Sequence, residues 1–179
     1  MNVCRHKIMS SIKSKGTKPE IIVRHFLWDR GFRYRINYKR LPGHPDIVLP
    51  KYRTCIFING CFWHGHGVEI KDNRIFSNLA FPCFRKPQNN IDYWENKIIR
   101  NQHRDKEEQK KLAEMGWHCI TVWECNLKPL KRLETLNSIA FTLNHIWLQD
   151  HQVQVISHPQ EIESRIPMAA ELLEPPIKD

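Results

Sequence analysis

The chain has 179 residues, 41% of them hydrophobic, and a formal net charge of +9, enough for one compact domain with an apolar core and a short appendage. No apolar run approaches the roughly eighteen residues a membrane span needs, and residues 1–16 lack a secretory apolar stretch, so a soluble intracellular protein with no membrane partner is expected. Its six cysteines are then expected as thiols, some on a metal, rather than as three disulfides.

Charge is concentrated at the front. Residues 1–40 carry eleven Lys and Arg against two acids, and residues 141–179 carry two against six. Arginine, lysine and aromatic residues interleave in "RHFLWDRGFRYRINYKR", a composition suited to a polyanion, because cations neutralise phosphates while flat rings meet bases. The alternative is a solvated basic face.

"TKPEIIVRHFLWDRG" predicts a helix over about 18–30. Thr17 serves as N-cap, Pro19 stands in the first turn, Glu20 completes a capping box and Gly31 is a stop. "FRYRI", "PDIVL" and "TCIFI" read as strands, the last almost wholly apolar and therefore central. From 88 to 115, Ile91, Trp94, Ile98, Leu112 and Met115 recur at helical spacing opposite a charged run, and Gly116 closes the pattern. "WHCITVWEC" is a further strand, "KRLETLNSIAFTLNHIWLQD" a last amphipathic helix, and the acidic, Pro-containing stretch after it a tail. The order predicts an α/β fold with a mixed central sheet flanked by helices.

Two sets of residues carry chemistry. Asp46 follows a proline at a strand start, a place from which a carboxylate can hold a hard divalent cation, although most Pro-Asp pairs are turns. Glu20 offers a second carboxylate, or only a cap. Cys61, His66, Cys83 and Cys125 are a Cys₃His set of the kind zinc holds tetrahedrally; three buried thiols and a surface histidine are the alternative. Cys55 and Cys119 lie in apolar runs and read as core. Between Cys61 and His66 stand Phe62, Trp63 and His64. If a metal fixes that loop, the aromatics are free to act as an outward wedge and His64 as a proton carrier near the divalent ion. Both rings facing the core is the other reading.

"MSSIKSKGTKPEIIVRHFLWDRGFRYR", "LPGHPDIVLPKYRTCIFINGCFWHGH" and "WENKIIRNQHRDKEEQKKLAEMGWHCITVWEC" together resemble the very short patch repair (Vsr) endonucleases, over residues 4–130. The resemblance implies a restriction-endonuclease-like core, nicking of duplex DNA 5′ of the thymine in a T:G mispair left by 5-methylcytosine deamination, catalytic Mg²⁺ and structural Zn²⁺. It implies Asp46 and the main-chain carbonyl of Ile58 as Mg²⁺ ligands, His64 as the proton-handling group and Glu20 as the carboxylate orienting the metal's water. Met9, Phe62 and Trp63 fall on wedge positions, and Cys61, His66, Cys83 and Cys125 on the zinc ligands. Asn59 stands where some members carry a second active-site histidine, so it offers hydrogen bonds only.

Residues 67–82 separate His66 from Cys83 where the family usually has few, and are expected to be an insertion. Glu69 is the fallback fourth ligand. The expected organisation is an endonuclease domain over 1–148, with a basic arm at about 1–16, and an acidic tail over 149–179. A cytoplasmic, nucleoid-associated bacterial monomer is implied, with mismatch-repair proteins and a cytosine-5 DNA methyltransferase as candidate partners. Two other readings stay open: a restriction-type endonuclease on intact duplex, and a zinc-stabilised DNA-binding module without catalysis.

Overall fold

A computed structural model describes residues 15–36, 38–78 and 80–157. In chain order the elements are α1 (Lys18–Asp29), β1 (Ile47–Leu49), β2 (Thr54–Asn59), β3 (Val68–Lys71), β4 (Arg74–Ser77), α2 (Ile91–Glu114), β5 (His118–Trp123) and α3 (Pro129–Ser157). They form a mixed α/β fold. Two compact units are distinguished, Met1–Leu143 and Asn144–Asp179. In the second, the described part is the end of α3, where Trp147 stacks on His151 at 4.0 Å. No helix among the described residues is long and apolar enough to cross a membrane.

The ends of α1 follow from its sequence. Glu20 reaches back to the Thr17 N–H at 3.3 Å. At the other end Gly31 takes φ +82°, which lets the Phe32 N–H reach the Leu27 carbonyl and the Gly31 N–H the Trp28 carbonyl, each at 2.9 Å. Leu27 and Phe32 then meet in the core, a Schellman ending with its hydrophobic contact.

The main sheet has the order β1-β2-β5. β1 runs antiparallel to β2, and β5 parallel to β2 with Thr54 opposite His118 and Asn59 opposite Trp123. Alternation along the strands sorts side chains to two faces. Ile47, Leu49, Ile56 and Val122 pack with Val23 and Leu27 of α1 and Leu136, Ile139 and Leu143 of α3. Val48, Cys55 and Cys119 pack on the other face with Leu112 of α2. Each fully buried aliphatic side chain contributes about 1.5–3 kcal/mol.

Two expectations from the sequence are not met, the "FRYRI" strand and the inward placing of Ile91 and Met115. "FRYRI" forms no strand; only Arg35 bridges to Val48. β1 is three residues long and follows Pro45 and a side-chain-bonded Asp46, so it offers little edge to pair with. Ile91 and Met115 are exposed rather than on the apolar face of α2. The segment 67–82 contains a β-hairpin, β3–β4, whose two-residue turn Asp72-Asn73 has φ of 49° and 58°, as a type I′ turn requires. Ile75 of this hairpin is buried against Ile98 and Ile99 of α2.

Candidate functional site

β2 and β5 are parallel and end side by side, so the residues after Asn59 and after Trp123 enter the same region. Glu20, Asp46, Ile58, Asn59, His64 and Asp105 line one cleft of about 940 Å³ there.

Asp46 sits at the entry to β1, and its Oδ2 accepts the Ile58 N–H at 2.7 Å. Burial holds its carboxyl above the ordinary value against the lowering effect of that hydrogen bond. The Glu20 charge adds to the rise, and Arg24 and His64 oppose it. A carboxylate that is costly to ionise by itself is relieved by a cation.

Glu20 is 4% exposed and both caps its helix and faces the cleft. Its oxygens accept from the Gly16 N–H at 3.0 Å, the Thr17 hydroxyl at 2.9 Å and the Arg24 guanidinium at 2.6 Å. Both oxygens are therefore engaged, and what Glu20 gives the cleft is negative charge at a fixed place.

His64 lies on the turn after β2, and α2 holds that turn. Asn101 Nδ2 donates to the Trp63 carbonyl at 2.8 Å and Gln102 Nε2 to the Gly65 carbonyl at 2.9 Å. One turn further along, Asp105 Oδ2 lies 2.5 Å from His64 Nδ1. Burial works to raise the Asp105 carboxyl, but its hydrogen bond to His64 and the charges of His64 and Arg104 bring it below the ordinary value. Sequence reasoning missed Asp105, because it stands in what reads as a solvated charged run. The available signal was a polar series at four-residue spacing, Asn101, Asp105 and Gln109, on one side of that helix.

The second cluster lies beside the first. Ligand atoms of Cys61, His66, Cys83 and Cys125 all fall within 4.8 Å of one another, a set that could hold a metal ion. His66 Nδ1 is 3.1 Å from Cys83 Sγ, 3.3 Å from Cys125 Sγ and 3.6 Å from Cys61 Sγ. The His66 ring is fixed by stacking on Trp123 at 4.1 Å. Burial, with Lys131 nearby, pulls His66 down and keeps it in the neutral form that ligates, and burial pushes the Cys61 and Cys125 thiols up. Thiolates buried here need a compensating cation. Glu69 is not in the cluster; it is exposed on β3 and pairs with Lys71 at 3.1 Å. Cys55 is fully buried, its thiol pushed up to about 12 by burial, and faces Cys119 across the sheet as a core residue.

Glu124, also missed in the sequence, lines both the cleft and a second cavity bordered by Cys61, Cys83 and Cys125. Its Oε1 accepts the Cys61 N–H at 3.0 Å.

Phe62 and Trp63 are half-buried. The Phe62 ring packs on Phe84 and Trp94, with centroids at 6.2 and 5.1 Å. Trp63 lines the cleft, with Trp94 at 5.8 Å and the Lys97 ammonium 5.5 Å from its ring. Met9 lies outside the described residues.

A family model described as "DNA mismatch endonuclease Vsr" matches residues 2–70. Over 130 residues the chain is 41% identical to the "Type II nicking enzyme V.XorIIP" of Xanthomonas oryzae pv. oryzae, covering 73% of this chain and 86% of that one. It is 46% identical over 124 residues to the "Type II nicking enzyme V.NmeAIP" of Neisseria meningitidis, covering 69% and 79% respectively. To the "DNA mismatch endonuclease Vsr" of Escherichia coli it is 33% identical over 129 residues, 72% of this chain and 74% of that one.

Proposed function

The chain belongs to the Vsr family of DNA endonucleases, and from that premise we propose that it nicks duplex DNA on the 5′ side of the thymine in a T:G mispair. The observation that carries this reading is the meeting of Asp46, Glu20 and the His64–Asp105 pair in one open cleft. The same reading takes the three-layer arrangement as a restriction-endonuclease-like core. It assigns the nuclease to residues 1–148 and treats 149–179 as an appended tail of a cytoplasmic enzyme.

Asp46 and the Ile58 carbonyl are the residues that would hold Mg²⁺. The fit rests on hard oxygen donors and on a carboxyl that burial and Glu20 hold above its ordinary value. When bound, Mg²⁺ polarises a phosphodiester and acidifies a water. His64 handles the proton. Donating Nδ1–H to Asp105 fixes its ring and leaves Nε2 as the exchanging atom. Asn59, buried in the cleft wall, contributes hydrogen bonds and no proton.

Zinc is the metal we assign to the Cys₃His cluster. A tetrahedral zinc holds sulfur at ~2.3 Å and nitrogen at ~2.0–2.1 Å, which sets ligand atoms roughly 3.5–3.8 Å apart. The separations of 3.1–3.6 Å from His66 Nδ1 to the three sulfurs close on that figure with small side-chain adjustments.

Trp63, at the cleft, is the wedge. Unstacking costs a few kcal/mol per step and least at a mispair, so an inserted ring selects damaged duplex before any base edge is read.

The test is cleavage of end-labelled T:G and T:A duplexes with Mg²⁺, followed by mapping of the cut bond. A nick 5′ of the mismatched thymine in the first duplex alone is expected, and Asp46→Ala should abolish it while leaving DNA binding largely intact. Equal cutting of both duplexes would favour a restriction-type activity instead.

A further inference from the structure

Three exposed arginines outside the cleft hold their guanidinium carbons over aromatic rings. Arg30 stacks over Phe26 at 4.1 Å, Arg33 over Trp28 at 4.2 Å and Arg35 over Tyr38 at 5.7 Å. Arg30 also donates to Asn137 at 3.0 Å. Arg33 and Arg35 have no carboxylate within ion-pair distance among the described residues.

Burial alternates along this segment. Phe32 is buried, and Tyr34 packs on the core with its hydroxyl donating to the Arg24 carbonyl at 3.2 Å. Arg33 and Arg35 are thereby turned together toward solvent, no more than ~7 Å apart along the chain. Trp28, beside them, is 56% exposed. A guanidinium resting on a ring has given up rotamer freedom but kept its donors, and without an acid nearby those donors are set for an oxyanion.

The patch has a definite place relative to the cleft. α1 runs from Glu20 in the cleft wall to Trp28 in the patch, eight residues along the helix. At 1.5 Å per residue that is about 12 Å, or three to four base-pair steps of ~3.4 Å.

We propose that Trp28, Arg33 and Arg35 form a second DNA contact that grips backbone phosphates of the duplex flanking the nicked bond. The contact rests on DNA being the substrate and is independent of which mispair is cut. Charge favours DNA over a protein partner, because the patch lies in the stretch 1–40 that holds eleven Lys and Arg against two acids.

The experiment uses the full chain and the double variant Arg33→Ala/Arg35→Ala. Binding is measured against salt on a duplex of about thirty base pairs and on two duplexes trimmed to about three base pairs on one side or the other of the nick. Loss of two phosphate contacts should weaken binding to the long duplex roughly 10-fold and lower the salt slope by about 1.8. The loss should disappear on the duplex trimmed on one particular side. It should be equal for T:G and T:A duplexes, because phosphate contacts carry no sequence information. Nicking at saturating enzyme should stay within about twofold of wild type, and Arg33→Lys/Arg35→Lys should keep most of the salt slope.

Unchanged affinity and slope on the long duplex would overturn the proposal and point to an acidic protein as the patch's partner. A loss that persists on both trimmed duplexes, or that the lysine variant shares in full, would equally overturn it. Wild-type enzyme that ignores the mispair would refute the proposed specificity and leave this contact standing.

Discussion

The short contact between His64 and Asp105 makes two separable demands on one carboxylate. For the proposed catalysis it orients a ring; for folding it is a hydrogen-bonded charge. Asp105→Asn should reduce nicking roughly 10²–10⁴-fold with DNA affinity little changed, since a misoriented ring exchanges its proton poorly. It should also cost about 1–2 kcal/mol near neutral pH. The Asp105 value in the fold lies below its ordinary one, so this stability is present in full above the unfolded value near ~3.9 and is lost as pH falls through the lower folded value. Melting curves should therefore show a gap between wild type and variant that narrows as the pH falls below about 4. A gap that narrows already between pH 7 and 5 would assign the effect to another group.

The two rings of the proposed wedge separate on the same scale. Phe62 sits among Phe84, Trp94 and Ile98, so Phe62→Ala should lower stability by about 3 kcal/mol. Trp63→Ala should leave the melt within about 1 kcal/mol and remove most of the preference for T:G over T:A duplex. Thermal melts beside binding to both duplexes check the pair. A Trp63 variant that folds and still discriminates would move recognition to other residues.

At the scale of elements, α2 serves as the rail on which the turn after β2 is mounted. Gly65 is what allows the close approach. A Cβ there would meet Gln102 Nε2 and Ile98 Cγ2, each at 2.8 Å, at a backbone φ of +61°. Gly65→Ala should cost about 1–3 kcal/mol and displace His64, so that nicking falls further than DNA affinity does. Equal losses in nicking and binding would mean that the turn holds DNA rather than the proton carrier.

α1 was legible in the sequence because Thr17, Glu20 and Gly31 state its ends locally. β2 and β5 were legible as apolar runs. "FRYRI" has the right alternation, with Phe32 and Tyr34 inward, but a strand also needs an edge to pair with, and that depends on a distant segment. The hairpin was within reach, since "VEIKDNRIF" alternates around Asp-Asn; treating the stretch as an insertion hid it. The Cys and His positions were visible as residue types. Their convergence was not, because His66 meets ligands 17 and 59 residues away in the chain. Asp105 and Glu124 look like surface acids until the fold supplies their partners.

For the whole molecule, the candidate cleft and the Cys₃His cluster hang from the same two strand ends, with Glu124 common to both. Closed zinc sites contribute folding free energy directly. Cys125→Ala should therefore abolish zinc retention, lower the melting temperature and remove nicking, although Cys125 does not line the cleft. Elemental analysis of carefully purified protein should give one zinc per wild-type chain. A Cys125 variant that keeps full nicking activity would uncouple the two sites.

That shared suspension also has a meaning in time. A ribosome delivers Glu20, Asp46 and His64 early, while Asp105 and the last cysteine of the cage, at 125, come only after most of the folded unit has been made. A chain that ends before residue 118 lacks β5, the parallel partner of β2, and the sulfur of Cys125. The cleft and the cluster are therefore completed together, late in synthesis, because Glu124 and Cys125 arrive side by side.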